Sequence, residues 1–509
     1  MIEVLIAGAG PAGLVLACDL ARRGVAFRIV ETSPLPPDRR SGSRGKGIQP
    51  RTLEIYDDFG LIEAVQAAGG PYAPAMAWDG PNPLGPAKFH RIERREATAD
   101  VPYPSMWMLP QPRALEILRA HLAGFGNSVE FGVTLVDFSQ DALGVTAKLQ
   151  HPDGRSETLR VRYLAGCDGA RGVVRPASGV AFASETIDPH PMITADVVIP
   201  ELEPTHWHMW DQAKGGALWL GPLAQMQDTF QLYARFEDAE PELSLDALRE
   251  LVRTRTGRPE LNVRKVLFAS HFGSRSGMAR HFRIGRVFLV GDAAHVHPPA
   301  GGQGMNTSVQ DAYNLGWKLG QVIRHGAPEA LLDSYEAERL PVAAGLLEFV
   351  GQMHKDWLGK AKDKEEARQG EHMQLSLNYR GGPLSLDERS AVAEGVTRAG
   401  DRAPDARLMN GAGEPVRLFD ILRGPQFTLL AVGDVSLPAL GVQPGDDLRM
   451  QRIVERGAAV PGALLDAEGQ VHRTYGEGLI LIRPDGYLGY TGTSATPGLG
   501  RYLQRFFRC

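Results

Sequence analysis

Apolar positions along this chain follow two rhythms. In "IEVLIAGAGPAGLVLACDLARRGVAFRIVE", Ile2 to Glu31, a short apolar run from Ile2 to Ala7 stops at glycine and predicts a buried strand. Ala12, Val15, Leu16 and Leu20 then recur at spacings of three and four, which predicts a helix to about Arg23 with Gly24 as its C-cap. Val25 to Val30 predicts a second strand, ending at Glu31. The buried-strand signature returns in "YLAGCDGARGVVR" (Tyr163 to Arg175) and in "GRVFLVGDAAHVHPPAGGQGMN" (Gly285 to Asn306). Each of these strands stops on an acid, Asp168 and Asp292. A helix with Val309, Ala312, Tyr313, Gly316 and Leu319 inward is expected after the second.

Between about Thr186 and Ser276 the rhythm changes to short apolar strands, such as "MITADVVI", "GALWLGPL" and "TFQLYARF". Glycine-rich phosphate turns are lacking there, so a mostly antiparallel sheet is predicted, with Tyr72 to Ser105 as an excursion into the same layer. Ala330 to about Arg368 reads as helical, and the charged run from Gly359 to His372 as a solvated helix end or linker. From about Gly400 a new unit begins. "QFTLLAV" and "GLILIRPDGYLGYTG" are its strands, the latter two joined by a turn at Pro484-Asp485-Gly486, and "GRYLQRFFR" is a final helix. The expected division is a discontinuous Rossmann-like domain at 1–71, 106–185 and 277–395, a β-sheet domain at 72–105 and 186–276, and a C-terminal domain at 396–509. No internal repeat or low-complexity tract interrupts this.

Chemistry enters at the strand ends. Gly8, Gly10 and Gly13 form G-x-G-x-x-G at a strand-to-helix turn, with Pro11 and Ala12 between them. The first glycine permits the tight turn, the second lets backbone approach a pyrophosphate, and the third lets helix and strand pack closely. The helix N-terminus offers N–H groups and partial positive charge to phosphate. Glu31 can accept hydrogen bonds from a ribose 2′-OH and would repel a 2′-phosphate, which points to FAD or NAD, not NADP.

Composition narrows the picture further. With 509 residues the chain exceeds one compact core. A net charge of −5 and no Lys/Arg-rich stripe argue against nucleic acid. Cys18, Cys167 and Cys509 lie far apart with no CxxC pair, which argues for a reducing compartment and against zinc or disulfide exchange. No signal-peptide pattern and no apolar run of roughly 20 residues is found, so a cytoplasmic protein is expected.

Together, "GAGPAG", "CDGARGVVR" and "GRVFLVGDAAHVHPPAGGQGMN" resemble the FAD-dependent aromatic hydroxylases, single-component flavoprotein monooxygenases related to p-hydroxybenzoate hydroxylase, and among them the phenol- and polyketide-modifying members. The resemblance spans roughly residues 1–350. It implies that Gly8, Gly10 and Gly13 cradle the FAD pyrophosphate, that Glu31 holds the adenosine ribose, and that Arg44 lies near the pyrophosphate. Gln111 would contact the flavin chain. Asp168 would serve both FAD and the reduced nicotinamide, and Asp292, after Gly291, the ribityl hydroxyls. Gly302, Gly304, Met305 and Asn306 would bring backbone to the flavin pyrimidine edge, with Pro299 over the flavin beside the substrate. Gly172 replaces a family serine, which weakens any side-chain contact to nicotinamide at that point. The C-terminal unit resembles a thioredoxin-like domain, with packing or oligomer contact as its role. The implied activity is hydroxylation of a phenolic or polyketide-type aromatic through a flavin C4a-hydroperoxide, with NADPH or NADH as transient donor and molecular oxygen as co-substrate. No second GxGxxG offers the donor its own domain. A small-molecule substrate, a monomer or homodimer, and neither membrane nor nucleic-acid partner are expected.

The histidines weigh less. In "HWHMW", strand alternation puts His206, His208 and Trp210 on one face and Trp207 and Met209 on the other, and the favoured reading leaves the histidines in solvent. His295 and His297 sit beside the proposed flavin, although His295 is also read as bonding its own turn. No third ligand accompanies them, so no metal site is expected, and no general base is named. Rival uses of the flavin machinery are Baeyer–Villiger insertion, antibiotic inactivation and double-bond reduction; a non-catalytic FAD module is a third class.

Overall fold

The computed structural model describes residues 2–37, 42, 45–87, 94–237, 241–298, 302–355, 373–437, 447–455, 461–493 and 497–507. Among the sites expected from the sequence, Arg44, Pro299, Cys509 and the charged run 359–372 lie outside the described residues.

The strands whose ends carry the chemistry form one sheet. Its order is Arg283–Ile284, Val287–Leu289, Tyr163–Gly166, Val4–Ala7, Phe27–Glu31 and Glu130–Phe131. All neighbours are parallel except the edge pair Arg283–Ile284 with Val287–Leu289. These strands are apolar on both faces because helices cover the sheet. Helix Pro11–Arg22 packs on helix Gly304–Arg324, which is buried along most of its length. Gly316 makes that approach possible, since a Cβ there would lie 2.3 Å from Asp19 Oδ2. Asp19 is fully buried and takes Arg22 and Arg23.

A second sheet of eight strands runs His295–Val296, Lys265–Ala279, Phe182–Val198, Thr229–Arg235, Leu218–Pro222, Trp207–Trp210, Ala75–Asp79 and Asn82–Pro86. It is antiparallel throughout except where Trp207–Trp210 meets Ala75–Asp79. One face, with Ile193, Ala195, Val197, Leu220, Phe230 and Leu232, closes on helix Leu245–Thr256. Alternation gives the other face Thr194, Asp196, Gln231, Tyr233 and Trp207.

This sheet corrects the reading of "HWHMW". His208 is fully buried, not in solvent. Its Nε2 is 2.9 Å from the Glu203 carbonyl, and its ring lies among Trp78, Trp210 and Phe230. Burial pushes its pKa below the ordinary value, so it is neutral core.

The C-terminal sheet is mixed, in the order Leu386–Asp387, Leu488–Gly492, Gly478–Ile482, Phe427–Val432, Leu448–Val454, Leu464–Leu465, Arg407–Met409 and Pro415–Arg417. Its edge strand Leu386–Asp387 precedes the expected start at 396. Charged pairs tie this unit to helix Pro50–Asp58: Arg402 with Glu54, and Arg417 and Arg423 with Asp57. Among the described residues no helix is long and apolar enough to cross a membrane.

Candidate functional site

Adjacent parallel strands bring the predicted loop edges together. Ala7 pairs with both Val30 and Gly166, and Gly166 pairs with Leu289. The turns that follow therefore share the carboxyl edge of one sheet, where open α/β sheets bind ligands. Gly8 (φ +100°) and Gly13 are demanded by packing: a Cβ at Gly8 would lie 2.4 Å from the Cys167 carbonyl oxygen, and one at Gly13 2.0 Å from that of Gly8. Gly10 differs. A Cβ there would meet no atom within 4 Å, and its φ of −73° suits any residue. Packing does not demand that glycine, whereas close approach of a ligand would. Gly10 is also the N-cap of helix Pro11–Arg22, with no side-chain cap, so the first-turn N–H groups, Ala12 among them, face the same edge.

Glu31 closes this loop from its own strand. Its carboxylate accepts from Ala9 N at 2.8 Å and from Ser33 N at 3.0 Å. Glu31→Ala frees both donors and is expected to speed FAD dissociation, read by stopped-flow flavin fluorescence; an unchanged rate would place the adenosine elsewhere.

At the second edge Asp168 Oδ2 accepts from Val174 N at 2.9 Å, while Oδ1 is buried with no hydrogen-bond partner. Burial raises its pKa above the ordinary carboxyl value, against the Val174 bond. The departure at Gly172 has a packing reason: a Cβ there would lie 2.0 Å from Asp168 Cγ. A serine could not share this Asp168 rotamer.

At the third edge Gly291 (φ +64°) lets the chain pass Ser308, and Asp292 is exposed. The chain then crosses to the second sheet at His295–Val296. His295 does not bond its own turn. Its Nε2 lies 2.6 Å from Asp311 Oδ2 of helix Gly304–Arg324, and Asp311 Oδ1 takes Arg339 Nε at 2.7 Å. Burial alone would raise Asp311; Arg339 and His295 override it and hold it below the usual range. His297 remains neutral because burial lowers its pKa. Its Nε2 is buried without a hydrogen-bond partner, and its ring stands 3.0 Å from a Cβ position on Gly304.

Past the glycine turn (Gly302, φ +62°), helix Gly304–Arg324 begins at the same edge with no side-chain cap. Asn306 acts here through its side chain, which the sequence did not suggest: Oδ1 accepts from Gln49 N, and Nδ2 donates to the Gly47 and Gly302 carbonyls, all at 2.8 Å. Met305 packs beside Gly45, whose carbonyl accepts from Gln111 N at 3.0 Å. Gln374, also missed, binds Gln303 and Thr307. Among the described residues no His/Cys/Asp/Glu group could hold a metal.

A glycine with open approach, two uncapped helix N-termini, an exposed acid and the orphaned Asp168 Oδ1 and His297 Nε2 fit a dinucleotide laid along this edge. Comparisons with known proteins give the family and its cofactor. The model of the FAD binding domain matches residues 1–350, and that of the aromatic-ring hydroxylase C-terminal region matches 396–508. A "Flavin-dependent monooxygenase" of Mycobacteroides abscessus is 40% identical over 511 residues, covering 99% of this chain and 100% of its own. The "6-methylpretetramide 4-monooxygenase" of Streptomyces rimosus is 34% identical, covering 99% and 93%. A solved ternary complex of aklavinone-11 hydroxylase with FAD and aklavinone superposes with a TM-score of 0.81 at 27% identity, covering 99% of each chain. The chain belongs to the FAD-dependent aromatic-ring hydroxylases, monooxygenases that use FAD with NAD(P)H and molecular oxygen.

Proposed function

We propose that the protein hydroxylates a phenolic, polyketide-type aromatic, with Gly8, Gly10, Gly13 and Glu31 holding the adenosine and pyrophosphate end of FAD, and Asp168, Asp292 and the 302–306 turn its flavin end. The carrying observation is the parallel register that puts Gly8, Asp168 and Asp292 after neighbouring strands. Bound FAD supplies the oxygen-activating redox chemistry. This chain's residues bind, orient and shield. The uncapped start of helix Gly304–Arg324 directs a partial positive charge at that edge, which favours an electron-rich, reduced cofactor. Asn306 ties that helix start to Gly47 and Gln49, so the 45–49 segment and the 302–306 turn are held to each other. Arg44 and Pro299 are proposed near the pyrophosphate and over the flavin. The eight-stranded sheet is proposed as the wall of the substrate chamber, which keeps water from the reacting oxygen.

The polyketide class is favoured by the substrates named for two full-length relatives, 6-methylpretetramide and aklavinone. The C-terminal sheet, parallel at Phe427–Val432 with Leu448–Val454 and antiparallel at Gly478–Ile482, supports a thioredoxin-like reading without redox chemistry. A cytoplasmic setting suits the free thiols of Cys18 and Cys167.

The test is incubation of the FAD-loaded protein with NADPH or NADH and either polyketide under ¹⁸O₂. A product that gains one labelled oxygen on a ring carbon is expected. Donor oxidation without labelled product, or a lactone, would overturn the reading. Asp292→Ala is expected to weaken FAD binding by about 1.5–3 kcal/mol, the worth of a hydrogen bond to a charged group. Equilibrium flavin titration checks this, and wild-type affinity would remove Asp292 from the site.

A further inference from the structure

We propose that Lys46 recognises an anionic oxygen of the aromatic substrate, a phenolate or enolate, at the seam between the cofactor half and the polar, aromatic face of the eight-stranded sheet. This rests on the aromatic-hydroxylase reading above.

The backbone of Lys46 belongs to the cofactor half. Its carbonyl accepts from Leu109 N at 2.6 Å, and its neighbours Gly45 and Gly47 are held by Gln111 N and Asn306 Nδ2. The side chain leaves that half and crosses to the sheet. Its Nζ stands 4.2 Å above the Trp207 ring and 6.0 Å from that of Tyr233. Trp207 in turn is stacked between Tyr72 at 5.8 Å and Tyr233 at 6.4 Å. Gly221 lets the indole lie flat, since a Cβ there would be 2.7 Å from the ring. The ammonium thus stands over a row of flat rings.

No group in the fold hydrogen-bonds this charge, although the Asp196 carboxylate favours it. Lys46 is 6% exposed, and its Nζ has no hydrogen-bond partner. Contact with aromatic faces is worth about 0.5–2 kcal/mol. Burial of an ammonium that nothing hydrogen-bonds costs several kcal/mol, of which the Asp196 carboxylate offsets only part. A lysine kept for packing alone would therefore be a net loss, whereas a ligand oxyanion would complete it. The groups facing it are Asp196 from strand Phe182–Val198, Tyr233 from strand Thr229–Arg235, and Tyr72. Burial raises both tyrosines, so they stay neutral phenols.

Burial lowers Lys46 to about 7, with Asp196 opposing. Above that value the free amine can take the proton of a substrate phenol. The O–H bond breaks and an N–H bond forms, leaving phenolate beside ammonium with total charge unchanged. A phenolate ring is the more electron-rich partner for oxygen transfer.

The test uses the FAD-loaded full chain with 2-naphthol and its methyl ether, 2-methoxynaphthalene, as probes, in wild type, Lys46→Met and Lys46→Arg. Wild type is expected to prefer the naphthol by about tenfold or more, the worth of one charge-assisted hydrogen bond, and to show naphtholate absorption below the free naphthol's pKa. Lys46→Met is expected to lose both without melting lower, because it removes a buried charge that nothing hydrogen-bonds; Lys46→Arg keeps the preference. A preference intact in Lys46→Met overturns the proposal. So does a Lys46→Met protein that melts lower and sheds FAD, the behaviour of a structural cation. If the Lys46-dependent preference holds while no oxygenated product forms, the oxyanion site stands and the hydroxylase reading falls. If hydroxylation proceeds with KM and pH profile unchanged in Lys46→Met, the reverse holds.

Discussion

Replacing Arg483 with methionine is expected to destabilise the whole protein by about 3–5 kcal/mol, the cost of breaking a buried ion pair on one side. Arg483 is fully buried. Its Nη1 and Nη2 reach the Glu338 carboxylate at 2.6 and 3.0 Å, and its Nε and Nη2 reach Asp485 at 3.0 and 2.5 Å. Lys318 Nζ also bonds Glu338, at 2.7 Å, and Trp317 Nε1 bonds Asp485, at 3.0 Å. Without Arg483 two buried carboxylates share one ammonium.

The pH dependence follows from the same charges. Burial would raise Glu338, but Arg483 and Lys318 outweigh it and hold it at about 2. A carboxyl lowered by folding stabilises above its unfolded pKa, and that contribution is lost as pH falls through the folded value. In Arg483→Met the sign reverses: Glu338 rises, because burial then outweighs Lys318, and its protonation relieves the folded state. The deficit in melting temperature is therefore expected to shrink as pH is lowered from neutral. A deficit that grows on acidification, or a wild-type melting temperature at neutral pH, would count against the network. Neutralising all four charged members together, with Glu338→Gln, Asp485→Asn and Lys318→Met added, should recover part of the loss.

This cluster also assigns a task to the C-terminal unit. Arg339, next to Glu338, reaches Asp311, and Asp311 holds His295 beside the Asp292 turn. Tyr379 joins the two groups, with its hydroxyl 3.0 Å from Arg339 and 3.5 Å from Asn314. Flavin retention in Arg483→Met is accordingly expected to fall with stability, although Arg483 is far from the glycine loop in sequence.

What could be read from sequence is what is local. A buried strand that stops on glycine or an acid is written in a few consecutive residues, so the three strand ends and the GxGxxG loop were visible. Their adjacency followed from the rule that ligands gather at carboxyl ends of parallel strands. His208 reads as solvent-facing because alternation tells which residues share a face, not what covers that face; the rings of Trp78, Trp210 and Phe230 enclose it. Lys46 gave no signal, since a lysine among glycines reads as surface, and Trp207 and Tyr233 lie far along the chain. Pro484-Asp485-Gly486 read correctly as a turn between strands, but nothing local says that Asp485 is buried against Trp317 and Arg483. The edge strand Leu386–Asp387 is too short to show a rhythm.

Gly10→Ala separates folding from cofactor binding at one atom. The apoprotein is expected to fold and melt as wild type, because the added methyl meets no atom within 4 Å and φ −73° is ordinary for alanine. As N-cap, alanine is slightly poorer than glycine, a cost of no more than about 1 kcal/mol. FAD affinity is expected to fall by more than about tenfold, or 1.4 kcal/mol, because the methyl occupies the approach that this glycine leaves to a pyrophosphate. Gly13→Ala provides the contrast. Its methyl would lie 2.0 Å from the Gly8 carbonyl oxygen and 3.4 Å from Cys167 Cβ. Strand and helix must shift apart, which costs about 1–3 kcal/mol with or without cofactor. Apoprotein melting and flavin fluorescence titration on both variants decide the matter. Loss of FAD affinity without loss of fold in Gly10→Ala, against loss of both in Gly13→Ala, fits a pyrophosphate at the first helix. Wild-type FAD affinity in Gly10→Ala would move the pyrophosphate off that loop, and the alignment of Asp168 and Asp292 along the same edge would then need another ligand.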